Sequence, residues 1–228
     1  MSTEMNALSL TLIVAATRSN AIGCDSSLPW RLSKEMAYFA RMTKGEQTER
    51  PGADERNAVI MGRKSWEGIP AKFRPLADRT NVVVSRQSNY DLNGSPATHL
   101  AHSLESAVEL LRTPSSSLEC PRPRRTFLIG GAQLYNEALN SPASSSPAKP
   151  YSVDRVLLTR ILTDYPDCDT FLSPFSDDAT RWRRASHEEL VDWAGWDVPS
   201  GIQREKDRMV RGDVEKFVEY EYQLWVRP

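Results

Sequence analysis

The chain has 228 residues, of which 39% are hydrophobic and 26% are charged, and its formal net charge at pH 7 is −1. This length can bury a sizeable core, and the composition is ordinary for a globular protein. A net charge close to zero excludes a general attraction to nucleic acid or to an anionic membrane. The longest apolar run, at residues 8–16, is too short to span a bilayer, and no basic residue precedes it as in a signal peptide.

Short apolar or β-branched runs alternate with helical patterns along most of the chain. The helical patterns lie at residues 33–45, 63–69, 103–112 and 132–140, and this alternation predicts an α/β fold with a mostly parallel sheet. The last segment, 214–228, alternates apolar and charged residues instead, which indicates a half-exposed antiparallel strand. The runs typical of strands buried on both faces lie at residues 8–16, 57–62, 80–85, 126–131 and 153–161.

Three stretches are predicted to be surface loop insertions, because Pro, Ser and charged residues supply little to a core. Strand patterns resume directly beside them, so none resembles a linker, and we predict one domain over residues 1–228. The sequence RPRR, at 122–125, could contact nucleic acid, but four residues in a nearly neutral chain favour a loop, and no nucleic-acid partner is expected. These three insertions lie near residues 45–57, 113–125 and 140–150. A fourth is expected near 186–214, within a region, 173–214, whose sequence pattern indicates little.

The helical pattern at 33–45 carries a carboxylate on its apolar stripe. Glu35, Phe39 and Met42 are spaced i, i+4 and i+7, which places them on one face. A buried, unpaired carboxylate is unfavourable, so it usually has a partner or a function. A helix also favours an acid in its first turn through its macrodipole, which would explain Glu35 without any function. The spacing alone leaves both interpretations open.

Three predicted strands end in groups that could bind a phosphorylated cofactor. In open α/β sheets, ligands bind outside the carboxyl ends of the strands, and a diglycine before a helix lets backbone N–H groups approach a phosphate. Each feature also has an ordinary explanation, as a tight turn or as solvated cations, and the full G-x-G-x-x-G fingerprint is absent. The groups are Gly130-Gly131, the run of Gly62, Arg63, Lys64 and Ser65, and the pair Ser85-Arg86.

Neither a metal site nor a nucleophile is predicted. His99, His102 and His187 lack ligand spacing, and the chain contains no G-x-S-x-G motif. Its three cysteines are odd in number and widely separated, which argues against a disulfide framework or a zinc site. We therefore expect no metal and a cytoplasmic location.

Five longer motifs follow one another along the chain: IVAATRSNAIGCDSSLPWRLSKEMAYFARMT, VIMGRKSWEGIP, RPLADRTNVVVSR, FLIGGAQLY and LLTRI. In their order and spacing they resemble dihydrofolate reductases. LPW before an acidic helix, then MGR-x-[ST]-W and IGG, form a highly specific set, and the resemblance runs from Leu10 to about Phe171 and resumes in the last dozen residues. The length and insertions resemble eukaryotic, fungal-type members.

The resemblance implies a fold, an activity and a cofactor. The fold would be that of dihydrofolate reductase, with about eight strands, an antiparallel C-terminal strand and flanking helices. The activity would be NADPH-dependent reduction of 7,8-dihydrofolate to 5,6,7,8-tetrahydrofolate for one-carbon metabolism. The protein would be a monomer that antifolates inhibit.

The resemblance also assigns roles to residues. Glu35 would hydrogen-bond the pterin ring and promote protonation of N5 while hydride is delivered to C6. Arg79 would hold the substrate's glutamate carboxylate bidentately, and the Gly130-Gly131 peptide would be cis. The substrate-binding set would be Val14, Leu28, Trp30, Glu35, Met36, Phe39, Ile69, Leu76, Arg79, Ile129, Tyr135 and Thr159. The cofactor-binding set would be Ala15, Ile22, Gly23, Gly62, Arg63, Lys64, Ser65, Ser85, Arg86, Gly130, Gly131, Ala132, Gln133, Leu134 and Tyr135.

Two other functions compete with this interpretation. The pyrimidine reductase of riboflavin synthesis shares the fold and cofactor, but it should lack both the LPW-plus-acid helix and the Arg79 clamp. A non-catalytic NADP-binding protein, or a nucleic-acid-binding one, would keep the basic edge but has no use for Glu35.

Overall fold

The computed structural model describes residues 7–45, 56–92, 94–95, 97–113, 123–141, 149–209 and 215–227. Most of the predicted insertions at 45–57, 113–125 and 140–150 therefore lies outside the described residues. The helices are α1 Ser33–Lys44, α2 Arg63–Gly68, α3 Leu104–Arg112, α4 Ala132–Leu139 and α5 His187–Ala194. The strands are β1 Leu8–Thr17, β2 Ala21–Gly23, β3 Asn57–Gly62, β4 Arg79–Val84, β5 Thr98–Ala101, β6 Thr126–Leu128, β7 Tyr151–Ile161, β8 Thr170–Phe171, β9 Arg183–Arg184, β10 Gln203–Lys206 and β11 Phe217–Val226.

The main sheet is mixed, in the hydrogen-bonded order β10-β11-β7-β1-β6-β3-β4-β5, with β9 pairing to β11. Strands β3 to β6 run parallel, whereas β11 is antiparallel to β7 and β10. The predicted α/β fold, with its mostly parallel sheet and antiparallel C-terminal strand, is confirmed. The chain divides into two compact units, unit 1 (Met1–Thr11 and Arg50–Asp154) and unit 2 (Leu12–Glu49 and Arg155–Pro228). A single functional domain over 1–228 stays a prediction.

Unit 1 contains a parallel sheet whose strands end in register. Gly62 of β3 lies opposite Val84 of β4, which lies opposite Ala101 of β5. The residues that follow these strands therefore emerge at one edge. Helix α3 begins as predicted, because the Ser103 side chain accepts a hydrogen bond from the Ser106 N–H in a capping box.

Unit 2 contains the antiparallel part of the sheet, where β11 lies between β7 and β10 and pairs Tyr222 with Thr159. The prediction of a surface insertion at 186–214 is wrong for the described part of this range. Ser186 and Glu189 form a capping box that starts α5, which buries Leu190, and β10 pairs along β11. These two elements cover apolar surface of unit 2 and are not a solvated loop.

Candidate active site

Glu35 is a buried acid in the first turn of α1. Its side chain is only 7% exposed, and Thr159 Oγ1 donates a hydrogen bond to Glu35 Oε1 at 3.1 Å. Burial raises the pKa of Glu35 from 4.5 to about 7; the Thr159 hydrogen bond opposes this rise, and the Glu205 carboxylate adds to it. Both protonation states are therefore populated near neutral pH, which suits a group that holds or passes a proton.

Two stacked tyrosines lie near this carboxylate in unit 2. The ring of Tyr38 stacks on Tyr222 with centroids 3.9 Å apart and lies 5.9 Å from the ring of Trp196. Burial, together with the nearby Glu35 charge, raises the pKa of both tyrosines, so they stay neutral phenols. Tyr38 was not among the predicted site residues, although it lies at i+3 from Glu35 on the buried face of α1.

The remaining unit 2 residues of the predicted site differ in exposure. Leu28 and Met36 are large apolar side chains that are 47% and 45% exposed, so a ligand could cover them. The buried Trp30 Nε1 has no hydrogen-bond partner among the described residues, and its ring packs edge-on against Tyr165 at 5.2 Å. Val14, Ile22, Gly23 and Thr159 are buried, while Ala15 and Phe39 are half-buried.

In unit 1, the diglycine is packed tightly against the start of α2. The Gly130–Gly131 peptide is cis, as predicted, and the Gly62 N–H donates to Gly130 O at 2.7 Å. Gly130 has φ +116°, and a Cβ there would lie 3.3 Å from Ser65 Oγ and 3.4 Å from the Tyr135 ring. Glycine is thus required at this position, and the bare backbone can come close to a ligand.

Basic side chains emerge at the same edge of unit 1. Lys64 and Arg86 are exposed, whereas Arg63 forms an ion pair with Glu67 at 2.9 Å. The buried Ser85 uses its hydroxyl to accept a hydrogen bond from the Gln87 N–H at 3.1 Å. Two further residues of the predicted site are half-buried: Ile129, which follows β6, and Ala132, at the start of α4. Next along α4, Gln133 is exposed and Leu134 is buried. The exposed Lys64 and Arg86 are suited to bind a phosphate directly. Arg63 would bind a phosphate only in exchange for its ion pair with Glu67.

Arg79 is a buried cation at the start of β4, with only 4% of its surface exposed. Its Nε donates to Ala77 O at 3.0 Å. Burial lowers the pKa of Arg79 to about 10, opposed by Asp78, so the guanidinium stays charged at neutral pH. The half-buried Leu76 is fixed by the Asn81 side chain, which accepts from the Leu76 N–H and donates to Leu76 O, both at 3.0 Å. Ile69 is also half-buried.

Two kinds of site are not seen in the part of the chain that the structure describes. No three His, Cys, Asp or Glu side chains there are grouped to hold a metal ion. No helix there has the length and apolar character needed to cross a membrane.

Comparisons with known proteins give one consistent result. Residues 9–194 match the family model described as Dihydrofolate reductase. The dihydrofolate reductase of Cryptococcus neoformans is 42% identical, with 96% of this chain and 94% of that protein covered, and that of Pneumocystis carinii is 39% identical, with 96% and 97% covered. Among solved structures, the dihydrofolate reductase of Schistosoma mansoni matches with a TM-score of 0.68 at 26% identity, over 98% of this chain and 100% of that one.

Proposed function

The chain belongs to the dihydrofolate reductase family and reduces dihydrofolate with a nicotinamide cofactor, and we propose that the cofactor is NADPH and that Glu35 controls the proton. The buried Glu35 carboxyl group, with its pKa near 7, is the observation that carries the proposal. The fungal relatives and the LPW-plus-acid helix favour this activity over pyrimidine reduction.

Glu35 acts on the pterin part of the substrate. Reduction adds hydride to C6 and a proton to N5, and protonation of N5 makes the C=N bond a better hydride acceptor. Because Glu35 is buried and keeps a proton near neutral pH, it can hydrogen-bond the ring and promote that protonation. The Thr159 hydroxyl fixes the orientation of the carboxyl group. The cofactor, when bound, supplies the hydride.

The substrate's other contacts follow from exposure and charge. Met36 and Phe39, on α1, present apolar surface to the pterin and benzoyl rings, with Leu28 and Trp30 nearby in sequence. Arg79 holds the glutamate carboxylate, because a desolvated guanidinium binds a carboxylate strongly and bidentately.

The preference for NADPH rests on the edge of unit 1. Lys64 and Arg86 offer exposed charge for the 2′-phosphate, Arg63 adds a third cation, and the diglycine lets the backbone approach the dinucleotide. We also propose a cytoplasmic monomer whose Glu35 site binds antifolates, as the family resemblance implies.

The decisive experiment is Glu35→Gln, which keeps the volume but removes the acid. We expect kcat for dihydrofolate at pH 7 to fall by about 100-fold or more, the range for losing a general acid. NADPH should still raise the melting temperature of the variant, because a ligand of the native state stabilises it. Near-normal turnover at pH 7 would overturn the assignment of Glu35.

A further inference from the structure

Helix α1 has no cap from its own segment. Leu32 occupies the N-cap position and makes no side-chain cap hydrogen bond. Glu205 of β10 supplies the missing acceptors: it accepts from the Ser33 N–H and from the Lys34 N–H, the latter at 2.9 and 3.0 Å to its two oxygens. Tyr220 of β11 donates to the second Glu205 oxygen at 3.3 Å, which fixes the carboxylate. The start of the helix that carries Glu35 is thus held by a residue far along the chain.

The same contact places a negative charge beside Glu35. A helix N-terminus favours the ionised form of an acid in its first turn, and an anion bound to that terminus offsets the effect. The titratable groups that face Glu35 are Tyr38 on α1, Glu205 on β10, and Tyr220 and Tyr222 on β11. The tyrosines stay neutral, so among these described residues Glu205 is the charged one.

We propose that Glu205 is a positioning residue for dihydrofolate reduction: its carboxylate binds the N-terminus of α1, and its negative charge beside Glu35 favours the form of Glu35 that carries the proton. The inference rests on the proposed function of Glu35. Glu205 affects the reaction only through Glu35.

Asp207, two residues further along the chain, provides a matched control. It is a buried carboxylate that accepts from the Arg31 N–H at 3.0 Å, the Met209 N–H at 2.9 Å and the Tyr165 hydroxyl at 3.0 Å. Asp207 is not among the groups that shift the pKa of Glu35, which are Thr159 and Glu205. Asp207→Asn therefore removes a comparable anchor without changing the charge that acts on Glu35.

The test measures kcat against pH for the native chain and for Glu205→Gln, Glu205→Asp and Asp207→Asn. In Glu205→Gln, Glu35 loses its proton at lower pH, so the alkaline fall in kcat should move down by at least about 0.5 pH unit, a modest effect for one nearby charge. The ratio of native to variant kcat should accordingly rise from about 1.2 at pH 6 to about 3 at pH 8. Glu205→Asp, which keeps the charge but withdraws it by one methylene, should give a midpoint between those of the native chain and Glu205→Gln, and Asp207→Asn should leave the native midpoint in place.

The ¹³C chemical shift of the Glu35 carboxyl group, followed against pH in the folded protein without ligand, reports the pKa of Glu35 without relying on turnover. It therefore tests the role of Glu205 separately from the proposed function of Glu35. The same downward shift in Glu205→Gln supports the role of Glu205 independently of turnover. An unchanged Glu35 titration in Glu205→Gln overturns it, even if stability falls. If Glu205→Gln does not fold, Glu205→Asp decides: a midpoint that follows the displaced charge supports the role, and unfolding or an unmoved midpoint overturns it. Full activity of Glu35→Gln would instead refute the proposed function itself.

Discussion

Thr159 and Glu35 are joined by a hydrogen bond of 3.1 Å between Thr159 Oγ1 and Glu35 Oε1, across 124 positions of the chain. The bond favours ionised Glu35 and opposes the burial that raises its pKa. Thr159→Val keeps the shape and removes the donor, so we expect the alkaline fall in kcat to move to higher pH, by about 0.5–1 pH unit. A pH profile checks this, and a shift to lower pH would contradict it.

The raised pKa of Glu35 also makes stability depend on pH. The unfolded chain loses this proton near pH 4.5 and the folded chain near 7, so stability falls as pH rises between these values. The full difference corresponds to about 3 kcal/mol. Glu35→Gln should thus gain stability relative to the native chain from pH 4.5 to 7 and keep a constant advantage above that. Urea unfolding at several pH values measures it; a pH-independent difference would refute the burial argument.

Arg79→Ala should raise KM for dihydrofolate and leave kcat nearly unchanged, because a contact remote from the transferred hydride acts equally on ground and transition states. Losing a charge-assisted bidentate contact corresponds to about 10-fold or more in KM. Arg79→Lys should not rescue it, because a point charge cannot reproduce the planar fork. The control substrate is a dihydropterin without the benzoyl-glutamate tail. Equal damage with both substrates would show that Arg79 is structural.

Gly130→Ala should destabilise the protein by about 1–3 kcal/mol, because φ +116° is unfavourable for a residue with a side chain. Its Cβ would also lie 3.3 Å from Ser65 Oγ, so NADPH binding should weaken. Gly68→Ala is the matched control, since nothing lies within 4 Å of a Cβ there. Thermal melts with and without NADPH measure both effects. Similar behaviour of the two variants would remove the steric argument.

Arg86→Ala should weaken NADPH by about 10-fold or more while changing NADH little, because the two cofactors differ by one phosphate and a charge-assisted contact contributes about 1.5–3 kcal/mol. The effect of Arg63→Ala should be smaller, because Glu67 already neutralises much of its charge. Glu67→Gln should then increase the preference for NADPH. Titrations with both cofactors test this, and equal losses for NADPH and NADH would place the phosphate elsewhere.

Local patterns predicted the parts of the fold that have local causes. The helix predicted at 103–112 rests on the i, i+3, i+4, i+7 spacing of Leu104, Ala107, Val108 and Leu111, and all four side chains are buried. Ser103, the first residue of that range, caps the helix. Helix α5 had an equally local signal in Ser186 and Glu189, whose capping-box spacing indicates a helix start within the range predicted to be a loop.

The surroundings of Glu35 had no such signal. Its pattern left a functional and an ordinary interpretation open, because the pKa depends on burial and on Thr159 and Glu205. Those residues come from distant strands, and only tertiary pairing brings them to α1. Nothing in the sequence around Gln203–Lys206 distinguishes a carboxylate that caps a helix from one that is solvated.

The cap on α1 has a consequence for how the protein is made. The Ser33 N–H donates to Glu205 of β10, which lies 172 residues later in the chain. At 5–20 residues per second, a ribosome needs roughly 10–30 s to synthesise that interval. Throughout this time the segment of α1 lacks the carboxylate that accepts from its first N–H groups in the folded chain, and Glu35 lacks the neighbouring Glu205 charge. The surroundings of Glu35 can therefore be completed only after β10 has left the exit tunnel.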